Sequence, residues 1–389
     1  MNNPSTRMYV TVTQVLKQAP WRDMRHLSTV AWMIAGLLLS GGIGLSRWVV
    51  YVDSRARYAQ SIERRFRRWL SNGRIDVNEV YAGLLKGWLP TGEERRVYVA
   101  LDTTMLWNSF CVIQVALVYR GRAIPVAWKV KRQPSASVAF QVYRSVLAQS
   151  VSRLKGFEVI LLADRGFCHL QLVRWIKRTP DWHCRIRMKR NTPAWRWSGA
   201  GYRPLKWCVD AGQVRYYHTV YLWKVHEAVN VAVGWEKGAK EPWLILSDEW
   251  TDETTLADYG KRFAIEEGFL DHKSNGFQWA SSRLRQAEVL DRLCFVMAVA
   301  TWIVTCQGTA VVAEGQRRTV DPHWCRGLSY ARIGWNWIHH ALACGKALID
   351  RLWLPSADDP APVPTASDRS RWMEELPWQY TFCIPDSTT

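Results

Sequence analysis

A mixed α/β fold, with a sheet covered by helices on both faces, is predicted by three observations. Two short apolar runs, VYVALD (97–102) and VILLAD (159–164), each end in an acid. Segments of helical spacing follow or flank these runs, and strands without amphipathic alternation belong to sheets buried on both sides. Hydrophobic residues at 48% and charged residues at 22% of 389 are globular values and exclude wholesale disorder. The length suggests two or three lobes with a large core. A net charge of +18 together with 24 Trp supplies the materials for phosphate neutralisation and base stacking.

Residues 1–90 read as a helical DNA-binding domain. Leu27 to Ser46 carries no charge and is long enough to cross a bilayer. Ser28, Thr29, Ser40 and the Gly41-Gly42 pair interrupt it, however, so a buried helix ended by the glycines is expected and no membrane association. From Ser54 to Ser71 the spacing places Tyr58, Ile62, Phe66, Trp69 and Leu70 on one helical face. From Arg47 to Arg74 there are eight Arg and two acids. An Arg-rich face suits phosphates and guanine edges, and Arg64, Arg65, Arg67 and Arg68 are the candidate DNA contacts.

Residues 91–181 and 248–310 are expected to form the central α/β unit. After VYVALD come CVIQVALVY (111–119) and AIPVAWKV (123–130), split by Arg120-Gly121-Arg122, a hairpin turn. A helix over Ser137–Lys155, the strand VILLAD and a helix through Leu170, Val173 and Ile176 complete the order. Three strands, helix, strand, helix, with acids at the ends of the first and fourth strands, is a ribonuclease H-like arrangement. Residues 182–247 read as an inserted all-β subdomain. There, Arg174 to Lys206 carries ten basic residues against one acid, interleaved with four Trp. Leu293 to Gln307 is a core helix, and 311–389 is a mostly helical region with a Pro- and Ala-rich stretch at 356–368, for dimerisation or DNA contact. Nine scattered Cys without C-x-x-C disfavour a disulfide framework and a zinc knuckle and fit a cytoplasmic protein.

The third candidate acid lies in LADYGKRFAIEEGFLDHKSNGFQW (256–279). Tyr259, Arg262, Glu266 and Lys273 fall within an arc of about 60° if the segment is one helix. Asp102, Asp164 and Glu266 together make a carboxylate triad able to hold two divalent ions. Such a pair activates a water and stabilises the leaving oxygen of a phosphodiester. Hard oxygen ligands favour Mg²⁺, with Mn²⁺ as a substitute. No G-x-G-x-x-G follows the first strand, so a dinucleotide site is excluded.

ALDTT (100–104), LLADRGF (161–167) and the Y-x₂-R-x₃-E-x₆-K pattern from 259 to 273 resemble the DDE transposases of bacterial insertion sequences. More narrowly, they resemble the insertion sequence 4 group, for which the last pattern is the signature. The resemblance implies a cut-and-paste enzyme with a ribonuclease H-like core. It would cleave transposon ends through a DNA hairpin and transfer strands into a target. By motif position Asp102, Asp164 and Glu266 would be catalytic metal ligands, while Tyr259, Arg262 and Lys273 would hold phosphates. An aromatic residue would stack on a flipped base, and Phe263, Trp235 and Trp243 are the open choices. Implied partners are terminal inverted repeats, target duplex and a second copy in a synaptic homodimer. A DNA-binding protein that keeps the fold without catalysis is the alternative.

Overall fold

The computed structural model describes residues 3–89, 95–270, 276–349, 352–355, 359–362 and 380–383. Lys273 lies outside the described residues, as does most of the Pro- and Ala-rich stretch. The architecture is mixed α/β, with one large sheet and helices at both ends of the chain.

Five helices precede the sheet: α1 (Pro4–Leu16), α2 (Met24–Ser40), the short α3 (Leu45–Trp48), α4 (Ala59–Ser71) and α5 (Val77–Trp88). α2 ends at Gly41, whose φ of 68° forms a left-handed cap that only glycine adopts without strain. These helices do not close a core of their own. One continuous hydrophobic cluster runs from Met8 through the strands to Leu354. Tyr81 of α5 is a joint in it, donating to the Pro125 carbonyl and accepting from the Trp302 indole at 2.9 Å.

In α4 the buried side is Ile62, Phe66, Trp69 and Leu70, as the spacing requires. Tyr58 instead precedes the helix and is exposed. The arginines do not form one free stripe. Arg67 is bonded to Glu63 one turn earlier, and Arg65 is half-buried, with its Nε and one Nη lacking a hydrogen-bond partner. Arg64 and Arg68 are exposed.

The sheet begins with β1 (Arg96–Leu106), β2 (Phe110–Tyr119) and β3 (Arg122–Arg132), two antiparallel hairpin pairs. β1 is longer than the apolar run indicates, because its pairing with β2 continues past Asp102 to Leu106. After α6 (Phe140–Arg153), β4 (Glu158–Ala163) runs parallel to β1, and α7 (Leu170–Lys177) leads to β5 (Trp182–Arg187), parallel to β4.

The expected insertion at 182–247 needs correction at its start and in its independence. β5 is a strand of the parallel core. The remaining strands are β6 (Ala194–Trp197), β7 (Tyr202–Pro204), β8 (Gln213–Leu222), β9 (Glu227–Trp235) and β10 (Trp243–Ser247). They extend the same sheet, in the order β3-β2-β1-β4-β5-β10-β9-β8-β6-β7. Antiparallel pairing of β10 with β5, Ile245 opposite Arg187, welds the two parts together. A late strand, β11 (Tyr380–Cys383), pairs parallel to β8.

The polar stripe expected on one helix is divided between two. α8 (Thr254–Gly260) stops, Lys261 and Arg262 form a turn, and α9 (Phe263–Leu270) restarts. Bonds of the i to i−3 type at Lys261, Arg262, Ala264 and Ile265 tighten this turn, and Gly260 is a poor helix former at its edge.

α10 (Ala287–Ala313) and α11 (Tyr330–Ala343) close the structure. α10 is longer than the apolar run read from the sequence. Its 27 residues are long and apolar enough to cross a membrane, but 83% of its most apolar window is buried inside the protein. Gly308 and Gly334 let α10 and α11 cross closely: a Cβ at Gly308 would lie 1.9 Å from the Tyr330 carbonyl oxygen.

Candidate active site

Parallel pairing brings the first two acids together. The β1–β4 register sets Leu101 opposite Ala163, so Asp102 and Asp164 are the next residues at one level of adjacent strands. Side chains alternate along a strand, so Asp102 shares the face of Ala100, and Asp164 that of Ile160 and Leu162. This is the face covered by α9. Ala264, Ile265 and Phe269 pack there on Ala100, Ala116, Ala123, Ile160 and Leu162. Small strand residues let the helix lie low. At Gly268 a Cβ would stand 3.1 Å from the Ala123 carbonyl, so a side chain here would lift the helix.

Seated this way, α9 sets Glu266 on the same side of the sheet as the two aspartates, linked to Asp102 through Arg262. Arg262 joins them: its Nη1 lies 3.2 Å from Asp102 Oδ2 and its Nη2 is 2.5 Å from Glu266 Oε1. Glu267 turns aside to Arg122 at 3.6 Å. Asp102 also accepts the Thr103 amide at 2.7 Å. Asp164 accepts the Gly166 amide at 2.7 Å, in a turn where a Cβ on Gly166 would press on the carboxylate.

Burial is the main reason that the Asp102 carboxyl is raised from 3.8 to about 6, and the charges of Asp164 and Glu266 push the same way. Arg262 and the Thr103 amide pull against them. A cation bound among these acids would favour their charged forms and offset the cost of burying Asp102. Its donors are all hard oxygens, which fits Mg²⁺ or Mn²⁺. Arg262 is itself buried, and its Nε has no hydrogen-bond partner. A donor left free beside the acids matches a phosphate oxygen.

Aromatic rings wall this centre. The Arg262 guanidinium stands 5.9 Å from the Tyr259 ring centroid and 5.1 Å from that of Phe263. Trp243 packs edge-on to Tyr259 at 5.4 Å and lies 5.9 Å from Phe263. Tyr259 is fully buried, and burial raises its phenol. Trp235 is not brought to this group. Trp243 pairs with Gly234, so alternation turns Trp235 to the opposite face, where its indole donates to Ala239. The four α4 arginines belong to a different element and are not part of the centre.

Several basic residues in 174–206 are already engaged. Arg174 and Lys177 pair with Glu227, Arg185 is buried against Ser247 and Glu249, and Arg187 pairs with Glu241. Composition counts charges but not the acids that meet them across strands. Sequence reading also missed Glu158, His183 and Glu249, whose ligand atoms lie within 4.8 Å of one another. They sit at the other end of the sheet, where β1 and β4 begin. Arg96 bonds both glutamates there and Arg185 bonds Glu249, so cationic partners are in place. Asp102, Asp164 and Glu266 are not drawn as close as this trio, and Arg262 stands between two of them.

The family described as transposase DDE domain matches residues 103–303, more than half of the chain. The protein belongs to that family. It is therefore of the DDE transposase class, whose members act on DNA and use divalent metal ions. The match takes in Asp164, Arg262 and Glu266 and begins one residue after Asp102. No curated protein matches the sequence. Among solved structures, a piggyBac transposase synaptic complex with hairpin DNA aligns over 97% of this chain and 79% of that one. The identity is 8% and the TM-score 0.42.

Proposed function

We propose that the protein is a cut-and-paste DNA transposase of the insertion sequence 4 kind, acting on terminal inverted repeats in the cytoplasm as a synaptic homodimer. One observation carries the reading. Arg262, in the turn before α9, bonds both Asp102 of β1 and Glu266 of α9, and the parallel register sets Asp164, just past β4, beside Asp102. The strand order β3-β2-β1-β4-β5, antiparallel then parallel, supports a ribonuclease H-like core.

Asp102, Asp164 and Glu266 would hold two Mg²⁺ ions, which when bound supply Lewis acidity to the scissile phosphate and acidify a water. Arg262 orients a phosphate beside them with its free donor, and Lys273 is proposed to add a second cation. Tyr259 fixes the Arg262 side chain by packing. Trp243 and Phe263, next to the acids, are the proposed platform for an unstacked base during hairpin formation; Trp235 is withdrawn from that role. Strand transfer would use the same centre, with the freed 3′-hydroxyl in place of water.

The test is cleavage of a linear duplex bearing the inverted repeats that flank the gene. Wild type should nick in Mg²⁺ and not in EDTA. Asp102→Ala, Asp164→Ala and Glu266→Ala should each abolish nicking and leave end binding within a few fold, since affinity comes mainly from basic residues. Cutting in EDTA, or normal cutting by any of the three variants, would overturn the assignment.

A further inference from the structure

A cavity of about 270 Å³ opens where the chain leaves Asp164 and enters β10, and the catalytic reading leaves it unused. Arg165, Lys189, Arg190, Glu241 and Pro242 line it. Its position is set by two chain neighbours. Arg165 directly follows Asp164, and Pro242 directly precedes Trp243, whose ring packs on Tyr259 and Phe263. The cavity therefore lies one residue beyond Asp164, at the ends of β5 and β10, and none of the three acids lines it.

Its charge is lopsided. Arg165, Lys189 and Arg190 face one acid, Glu241, with Arg187 within reach of the same carboxylate. Glu241 Oε1 takes Arg165 Nη1 at 3.3 Å and Arg187 Nη2 at 2.8 Å. A single carboxylate drawing two guanidinium groups offers them what a phosphodiester offers: two anionic acceptor oxygens at hydrogen-bond distance. Glu241 and Arg165 are both about half exposed, at 47% and 53%. An exposed pair of this kind is weak and screened, so exchange of its anion is cheap.

We propose that this cavity is a DNA-backbone subsite that seats a phosphate of the strand leaving the catalytic acids, and that Glu241 occupies the place of that phosphate when DNA is absent. The proposal rests on the reading of Asp102, Asp164 and Glu266 as the cleavage centre. Binding then swings Glu241 out toward solvent, and Arg165 and Arg187 change partner without leaving their strand ends. Lys189 and Arg190, both exposed, add charge at the rim.

The experiment is a salt titration of the full chain binding a short mixed-sequence duplex, read by fluorescence anisotropy in EDTA. Three variants are compared: Lys189→Gln with Arg190→Gln, Glu241→Gln, and the charge-matched control Lys86→Gln with Lys155→Gln on other exposed surfaces. The cavity pair should weaken binding and lower the slope of log K against log salt by about 1 to 2, at roughly 0.9 per phosphate contact, while the control pair barely moves it. Glu241→Gln should bind several-fold tighter. Equal behaviour of the cavity and control pairs would overturn the subsite. Unchanged or weaker binding by Glu241→Gln would overturn the exchange and make Glu241 a brace for the arginines. Nicking by wild type in Mg²⁺ of a linear duplex bearing the flanking inverted repeats is scored separately. Its failure would remove the cleavage reading, and the titration would still judge whether the cavity holds DNA.

Discussion

Arg262 touches both Asp102 and Glu266 and keeps one donor free, so its length and planarity matter as much as its charge. Lysine offers a point charge that cannot span two carboxylates and a phosphate. Arg262→Ala should therefore slow nicking on the order of 100-fold, the cost of a misplacement of about 1 Å, and Arg262→Lys should recover only part of it. A time course of nick, hairpin and double-strand break at saturating Mg²⁺ checks this, and hairpin closure should suffer more than the first nick. Glu267→Ala, by contrast, should cut like wild type, because Glu267 faces Arg122. The identity of these residues was legible in the sequence: fixed spacing separated Glu266 from Glu267 before any geometry was known. The shape of their support was not. Gly260 weakens the helix between Tyr259 and Arg262, but the spacing of Tyr259, Arg262 and Glu266 does not show that it breaks there, because the break depends also on how α9 is drawn down onto Ala123. Nor does sequence distance distinguish Trp243 from Trp235; only strand register turns one toward the acids and the other away.

At the scale of elements, α10 ties the outer strand β3 to the rest. Asp291 Oδ1 accepts the Val130 amide at 3.0 Å, and the Asp291 carbonyl takes the Trp128 indole at 3.0 Å. Burial raises the Asp291 carboxyl from 3.8 to about 6. A folded value above the unfolded one means that stability from this group is full below pH 3.8 and is lost as pH rises through about 6. Asp291→Asn keeps the acceptor and removes the charge. It should flatten the stability profile over that window and raise stability near neutrality, measured by denaturant midpoints across pH. At the α10–α11 crossing, Gly334→Ala would bring a Cβ to 1.8 Å from the Val304 carbonyl oxygen. The helices must part, and a loss of about 1–3 kcal/mol or more is expected from thermal or denaturant unfolding. The apolar run at 293–307 signalled this helix, but its ends escaped the sequence. Thr309 is buried beyond that run, and hydropathy cannot anticipate a polar residue in a core.

For the whole molecule, excess positive charge predicts binding to duplex that falls steeply with salt. Replacing Arg64, Arg67 and Arg68 by Gln should reduce the salt slope. The Arg67 change should contribute least, since Glu63 already holds that side chain. Unchanged affinity and slope would make α4 an ordinary solvated helix. The sequence disclosed the succession of strands and helices because buried strands are apolar along their length. It did not disclose that the strands beyond β5 join the same sheet, since the partners Arg187 and Ile245 are separated by the whole excursion and each strand is apolar enough to pair with several others.

That continuity has an evolutionary consequence. An open sheet grows at its rim, and here the rim farthest from the acids is the β6–β7 hairpin, at the end of the strand order. Its tip turns through Gly199 and Gly201, around which an added Cβ would meet nothing within 4 Å. Lineages can lengthen or trim the protein there without reopening the strands that carry Asp102 and Asp164. A peptide spliced into that tip should be tolerated by the chemistry, whereas one spliced between β4 and α7 should not.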